Sequence, residues 1–162
     1  MQKSGKGKTG IHYGQENWST LDNMYATLSE LSGFENVGGI FTFSANVKDT
    51  TMAGKKQTAL SVDVQDNADA NEKIQEIVAD MENHPLVHSA SIHMNEGLLH
   101  PKDDILQLMI AGLQDAPQVR EMFDLILAML NRLKRETNTR FKEHTAEGAE
   151  YYKPKDPTKT FD

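Results

Sequence analysis

Cysteine is absent from the 162 residues of this sequence. That absence excludes disulfide bonds, thiol catalysis and cysteine-ligated zinc or iron–sulfur sites. Long apolar runs are also missing, because no stretch approaches the roughly 18 residues that a membrane-spanning helix needs. Met1 is followed by Gln2, Lys3 and Ser4 rather than by an apolar signal segment. We therefore expect a cytoplasmic protein without a membrane partner.

Positive charge is in short supply as well. The sequence has 17 Lys and Arg against 24 Asp and Glu, which gives a formal net charge of −7. A chain with this balance repels nucleic acid unless a local basic patch attracts it, so we do not expect nucleic acid as a partner. The length and the hydrophobic content of 38% fit one compact domain with short appendages.

The two ends of the chain differ in composition from the middle. Residues 1–9 are rich in Gly and Lys, so we expect a flexible basic arm there. Residues 146–162 contain Pro154 and Pro157 and few aliphatic side chains, so we expect a flexible tail. Between them we predict an α+β domain over residues 10–96 and a C-terminal helical hairpin over residues 97–145.

Two segments of the α+β domain have the spacing of amphipathic helices. Apolar residues from Trp18 to Leu31 recur every three or four positions, which places them on one helical face. A second helix is predicted after Asp69 or Asn71, either of which can cap its first turn. This helix ends before Pro85, because proline disfavours helical geometry in the preceding residue.

Four segments have strand character, namely residues 9–13, 40–47, 58–64 and 86–94. The second and third are expected to pair as a long hairpin. With the two helices they give the order βαββαβ, which resembles ferredoxin-like domains in its element order. The resemblance implies a four-stranded antiparallel sheet with both helices on one face.

The C-terminal part is predicted to be helical in two segments, residues 103–113 and 118–142, which meet near Pro117. Apolar residues between 122 and 130 surround nearly the whole second helix, so one small domain does not cover them unaided. We therefore expect self-association, with a homodimer as the commonest symmetric form. The predicted self-association residues are Met122, Phe123, Ile126, Leu127, Met129 and Leu130.

An acidic stripe runs along the second predicted helix of the domain. Glu72, Glu76 and Asp80 are spaced four residues apart, and we predict that they bind another protein with a basic surface. The segment from Arg132 to Lys142 has the opposite charge bias. Two alternatives stay open: both faces are merely solvated, or the basic segment faces the acidic helix within one chain or between chains.

Motifs for nucleotide or cofactor chemistry are weak or absent. Gly7-Lys8-Thr9 ends like a phosphate-binding loop, but the upstream glycine that such a loop needs falls at Gln2. Neither an activated nucleophile, nor a carboxylate pair in an apolar setting, nor a glycine-rich cofactor loop stands out. We therefore predict no catalytic residue and no cofactor.

Four histidines, His84, His88, His93 and His100, lie within seventeen residues and invite a metal-site hypothesis. Strand alternation opposes it, because His88 and His93 are separated by an odd number of residues and therefore point to opposite faces of a sheet. Scattered polar histidines are the favoured interpretation, and no metal is predicted.

These observations favour a non-enzymatic protein-binding or regulatory module, of the adaptor or inhibitor type, that self-associates through its C-terminal helices. A first alternative is a nucleic-acid-binding sheet, whose residues would be Phe41, Phe43, Lys55 and Lys56 with the arm residues Lys3, Lys6 and Lys8. A second alternative is a small-molecule-binding or enzymatic domain with a pocket between the sheet and the C-terminal helices, which would contain His88 or His93.

Overall fold

The computed structural model describes residues 9–13, 20–113 and 119–152, with His12, Tyr13 and Thr20 described by their backbone alone. The described residues form seven strands and three α-helices. In chain order these are β1 (Gly10–Tyr13), α1 (Thr20–Ser29), β2 (Gly39–Asn46), β3 (Ala59–Val64), α2 (Asn67–Glu82), β4 (Val87–Leu99), β5 (Asp104–Gly112), α3 (Val119–Glu136), β6 (Thr139–Thr145) and β7 (Gly148–Tyr152). The predicted arm, apart from Thr9, and residue 18 lie outside the described residues.

The strands form one sheet in the order β2-β5-β4-β3-β6-β7, and β1 pairs in parallel with β4 off this path. The remaining neighbours are antiparallel. The predicted hairpin between β2 and β3 is wrong, because β2 pairs with β5 and places Phe41 opposite Ile110. Strand β5 is buried on both faces, so it takes an interior position with a neighbour on each edge.

Alternation along β5 divides the core into two layers. Leu108 and Ile110 belong to the main cluster, which contains the buried residues of α2 and α3. Met109 and Ala111 point to the opposite face and pack with Met24 of α1. The helices therefore cover both faces, and the expectation that the first two lie on one face is wrong. The predicted α+β class is confirmed.

The predicted C-terminal helical hairpin is wrong in its first half, because residues 104–112 form strand β5. A short segment that is apolar on both sides does not alternate, and periodicity alone does not distinguish it from a buried helix. The second helix exists as α3 but ends at Glu136, where Thr137 and the left-handed Asn138 (φ 49°) stop it. Residues predicted as the end of this helix form β6 instead.

Part of the predicted flexible tail is ordered as β7, which pairs with β6 from Thr145 opposite Gly148 to Phe141 opposite Tyr152. Residues 153–162 of that tail lie outside the described residues. None of the helices in the described ranges combines the length and apolarity needed to cross a membrane.

Helix α2 begins three residues earlier than its predicted caps allow. Its N-cap is Asp66, whose carboxylate accepts a hydrogen bond from the Asp69 backbone N–H at 3.0 Å. Ile74, Ile77 and Val78 form its buried stripe, as the spacing predicts, and they pack against the sheet face shared with α3.

Candidate functional site

A cavity of about 410 Å³ lies between α3, the sheet and the loop that joins β2 to β3. Small-molecule sites commonly have volumes of about 300 to 1,000 Å³. Its walls come from β2, the loop, β3, β5, α3, β6 and β7. The lining residues are Phe43, Ala45, Asn46, Lys48, Thr50, Met52, Gln57, Leu60, Ile105, Leu106, Leu130, Lys134, Phe141, Glu143 and Tyr152.

The loop between β2 and β3 is a compact turn rather than an open excursion. Thr50 and Lys56 form an isolated antiparallel bridge, and the Thr51 N–H donates to the Lys55 carbonyl oxygen at 2.8 Å. Gly54 has φ 80°, a left-handed conformation that glycine adopts without steric cost. This local turn holds residues 48–52 and 57 along one wall of the cavity.

Strand β6 anchors that loop from the other side. One Glu143 carboxylate oxygen accepts a hydrogen bond from the Met52 backbone N–H at 2.9 Å. The Lys55 ammonium pairs with Glu147 at 2.9 Å, and this contact lowers the pKa of Glu147 and raises the pKa of Lys55.

The interior wall of the cavity is apolar. Leu60 and Ile105 form part of its floor, and Phe43 and Leu130 close the side next to α3. Phe141 lies edge-on to Tyr152, with ring centroids 6.2 Å apart and planes at 67°. Aliphatic and aromatic walls of this kind suit the flat body of a heterocyclic ligand.

Charge is placed at the cavity by two lysines and one carboxylate among its lining residues, namely Lys48, Lys134 and Glu143. Lys48 lies two residues beyond the end of β2, and Lys134 lies in the last turn of α3. Both lysines are solvent-exposed, so they remain available to an anion that enters. An anionic group on an otherwise apolar ligand is therefore the chemistry that this lining matches.

Gln57 is the most deeply buried polar side chain of the lining, with 4% of its surface exposed. Its side-chain amide donates to the Lys48 carbonyl oxygen at 2.9 Å, and its backbone N–H donates to the Asp49 carbonyl oxygen at 2.8 Å. Its Oε1 atom is buried without a hydrogen-bond partner among the described residues.

A second, smaller cavity of about 230 Å³ lies on the other side of the same loop, against the β6–β7 turn. Its lining includes Glu143, Glu147 and Glu150 together with Lys55. No group of three or more His, Cys, Asp or Glu side chains that could hold a metal ion occurs in the described part of the chain. The lining of this smaller cavity contains one lysine and no aromatic or large aliphatic side chain, whereas the larger cavity has two lysines and both kinds of apolar side chain.

The predicted self-association residues split between two environments. Met122, Ile126 and Met129 point into the chain's own core and are at most 5% exposed. Phe123 and Leu127 are 56% and 49% exposed, so a second chain could reach them. Leu130 is half-buried and lines the larger cavity. Self-association through α3 therefore stays a prediction that rests on Phe123 and Leu127.

The predicted acidic partner site lies on the exposed face of α2, as Glu72, Glu76 and Asp80. Asp80 already accepts a hydrogen bond from Arg132 of α3 at 2.6 Å. Arg132 also donates a hydrogen bond to Glu136 at 2.7 Å. The Arg132 hydrogen bond lowers the pKa of Glu136, and Glu136 in turn raises the pKa of Arg132. Binding of another protein at the remaining stripe is still only a prediction.

The four histidines have separate structural environments. His84 Nδ1 accepts from the Leu86 N–H at 3.1 Å, and His100 is exposed beside Asp103. His88 is buried against the Ser32 carbonyl oxygen at 2.9 Å. His93 is buried near Ser91. Neither His88 nor His93 lines the larger cavity, so that expectation for a small-molecule pocket is wrong.

The surface proposed for nucleic acid is not a stacking platform. Phe41 is half-buried and meets Phe123 edge-on at 5.8 Å, while Phe43 lines the larger cavity. Lys55 is paired with Glu147, and Lys56 is exposed beyond the turn. The arm residues Lys3, Lys6 and Lys8 lie outside the described residues.

Sequence reasoning missed Lys48, Gln57 and the role of Lys134 in the cavity. The cavity depends on β6 crossing beside β3, and that strand was predicted as helix. The available signal for a strand there was an alternation, in which Thr137, Thr139 and Phe141 are separated by Asn138 and Arg140. The lysines carried no signal of their own, because isolated lysines are ordinary surface residues.

Solved structures with the same fold come from several bacteria. Molybdopterin synthase from Staphylococcus aureus is 17% identical with a TM-score of 0.71, over 94% of this chain and 98% of that one. The molybdopterin biosynthesis MoaE protein from Burkholderia ambifaria is 18% identical with a TM-score of 0.67, over 93% and 94% of the two chains. A complex of subunits 1 and 2 of molybdopterin-converting factor from Helicobacter pylori is 13% identical with a TM-score of 0.67, over 91% of each chain.

No curated protein sequence matches the chain. A family model described as MoaE protein does match, over residues 15–136. The prediction of a non-enzymatic adaptor or inhibitor is wrong, because this family and the structures of the same fold belong to molybdopterin biosynthesis and include a synthase. The family model matches more than half of the residues of this chain, so the chain belongs to the MoaE protein family.

Proposed function

We propose that this chain is an enzyme subunit of a molybdopterin synthase and that the 410 Å³ cavity is its substrate site. One observation carries the assignment of the site: apolar walls and two lysines meet in a single cavity of ligand size. The family match and the shared fold support the assignment of the reaction.

The chemistry of molybdopterin suits this lining. Molybdopterin is a phosphorylated pterin, so it joins a flat heterocycle to an anionic group. In the proposed complex the heterocycle lies against Phe141 and Leu60, and the phosphate pairs with Lys134 and Lys48. These residues bind and orient the substrate, and the apolar walls reduce the water around the reacting groups.

A second protein completes the proposed enzyme. The Helicobacter pylori structure of the same fold is a complex of two different subunits. Another protein is therefore the partner class that we propose, in place of a generic basic surface. We also retain the proposal of self-association through Phe123 and Leu127, which are exposed on α3 and one turn apart. A cytoplasmic location, expected from the sequence, fits a subunit of a biosynthetic enzyme.

A gene deletion in the native host tests the function. The deletion should abolish molybdopterin, measured as the fluorescence of its oxidised pterin in cell extracts, and the wild-type gene should restore it. Lys134→Met and Lys48→Met should each reduce the restored amount at least tenfold, because the anion loses a charge-assisted contact. Lys73→Met is the matched control, since Lys73 pairs with Glu76 on α2, away from the cavity lining.

The two parts of the proposal fail separately. Unchanged molybdopterin in the deletion strain would contradict the proposed reaction. Full restoration by both cavity variants, at wild-type protein levels, would contradict the site while leaving the reaction in place.

A further inference from the structure

We infer that Gln57 determines specificity at this cavity by accepting a hydrogen bond from an N–H group of the bound ligand. The inference rests on the proposed function, because it concerns the same site. It narrows the ligand to a class that combines an anionic group with N–H donors on a heterocycle, as a phosphorylated pterin does. Inorganic phosphate and apolar anions do not meet both requirements.

The Gln57 side chain is held in place before any ligand arrives. Its amide nitrogen donates to the Lys48 carbonyl oxygen, and its backbone donates to the Asp49 carbonyl oxygen, so two bonds tie it to the turn. Since the Lys48 carbonyl fixes the nitrogen, the opposite atom of the amide is the oxygen. The ligand therefore meets an acceptor and not a donor on this residue.

That oxygen is left unsatisfied by the described residues. Most buried polar side-chain atoms in proteins have a partner, because a buried acceptor without one has lost its hydrogen bond to water and gained none in return. The side chain that carries this oxygen is part of the cavity lining. A ligand that donates an N–H group at this part of the lining would supply the partner that the oxygen lacks. Ligand binding then relieves a cost that the unliganded protein carries.

The other polar groups of the cavity give the ligand its orientation. Lys134 lies at the end of α3, whereas Gln57 precedes β3, so the two residues reach the cavity from different elements. Glu143 is already occupied in part by the Met52 N–H. An anionic group at Lys134 thus leaves the heterocycle free to extend over the floor toward Gln57.

The chain contains a matched control for this argument. Gln107 is 5% exposed, donates its amide to the Ser44 hydroxyl at 3.4 Å and has an equally unpartnered Oε1. It does not line the cavity. Substitution of Gln107 therefore removes the same kind of buried acceptor without touching the proposed site.

The test measures the affinity of the full-length protein for three probes by calorimetry: neopterin monophosphate, neopterin and inorganic phosphate. Gln57→Met, which keeps the volume of the side chain, should weaken both pterins about tenfold and leave phosphate binding unchanged. Lys134→Met should weaken the two phosphate-bearing probes and leave neopterin unchanged. Gln107→Met should match the wild type with every probe. Gln57→Leu is the second variant should Gln57→Met fold poorly by circular dichroism.

Each outcome decides the inference. A selective loss of pterin affinity in the Gln57 variants supports it. Wild-type pterin affinity in folded Gln57 variants overturns it and leaves the proposed function standing. Absence of pterin binding to the wild-type protein overturns the inference together with the proposed substrate.

Discussion

Arg132 donates a hydrogen bond from Nη1 to Asp80 Oδ2 at 2.6 Å and thereby joins α3 to α2. The same guanidinium bonds Glu136 one turn further along α3, at 2.7 Å from Nε. The open alternative that basic and acidic segments face each other is thus realised within the chain. The contact to α2 is made by Arg132, and Glu72 of the acidic stripe stays exposed.

Replacing Arg132 by Met should lower the free energy of unfolding by about 1 kcal/mol near neutral pH, because partly exposed ion pairs contribute modestly. The Arg132 hydrogen bond lowers the pKa of Glu136, so the stabilisation is complete above the ordinary carboxyl pKa. It disappears as the pH falls through the lowered value. Urea unfolding of both proteins from pH 3 to pH 7 measures this difference.

The control for that series is Lys73→Met, which breaks a surface pair with Glu76. We expect no measurable loss of stability from it. A difference between Arg132→Met and wild type that stays constant down to pH 3 would contradict the assigned role of Glu136.

The existence of α2 and β3 was predictable from the sequence, because both segments have clean periodicities. The pairing of these elements was not predictable in the same way. Strand β5 is apolar on both faces and lies far along the chain, so nothing local indicates that it separates β2 from β3. Its true neighbours follow from tertiary packing, which periodicity does not report.

The start of α2 provides a direct test of a cap that sequence reasoning misplaced. Asp66→Ala should destabilise the protein by about 1 kcal/mol, because the Asp69 N–H loses its side-chain acceptor. Asp69→Ala removes the predicted cap but leaves the Asp66 bond intact, so we expect a change of less than about 0.5 kcal/mol. Thermal unfolding followed by circular dichroism separates the two, and equal losses would argue against Asp66 as the cap.

Two positions on α3 distinguish its buried face from its exposed face. Met129 is fully buried, and Met129→Ala should cost about 3 kcal/mol through the cavity that it leaves. Leu127 is 49% exposed, and Leu127→Lys should leave stability within about 0.5 kcal/mol of wild type.

The same Leu127 variant tests self-association. We expect it to convert an oligomeric wild-type protein to monomers in analytical ultracentrifugation while its melting temperature is retained. An unchanged sedimentation profile would remove α3 from the self-association surface, and a monomeric wild-type protein would end that proposal altogether.

The candidate site was less accessible to sequence reasoning than the elements around it. Phe43 was predicted to bind nucleic acid and Leu130 to mediate self-association, whereas both line the cavity. The residue type alone does not indicate whether an apolar side chain lines a cavity or an outer surface. Gln57 gave no signal at all. Gln57 stands out only in the folded chain, where its side chain is buried and its Oε1 atom has no hydrogen-bond partner among the described residues.

The most direct test of the account is a methyl NMR titration of the full chain with neopterin monophosphate. We predict shifts of the methyl signals of Leu60, Ile105 and Leu130, which line the cavity, and constant signals from Met24 and Leu28 on the buried face of α1. Shifts confined to the α1 side of the sheet, or none at saturating probe, would contradict the assignment of the cavity as the substrate site.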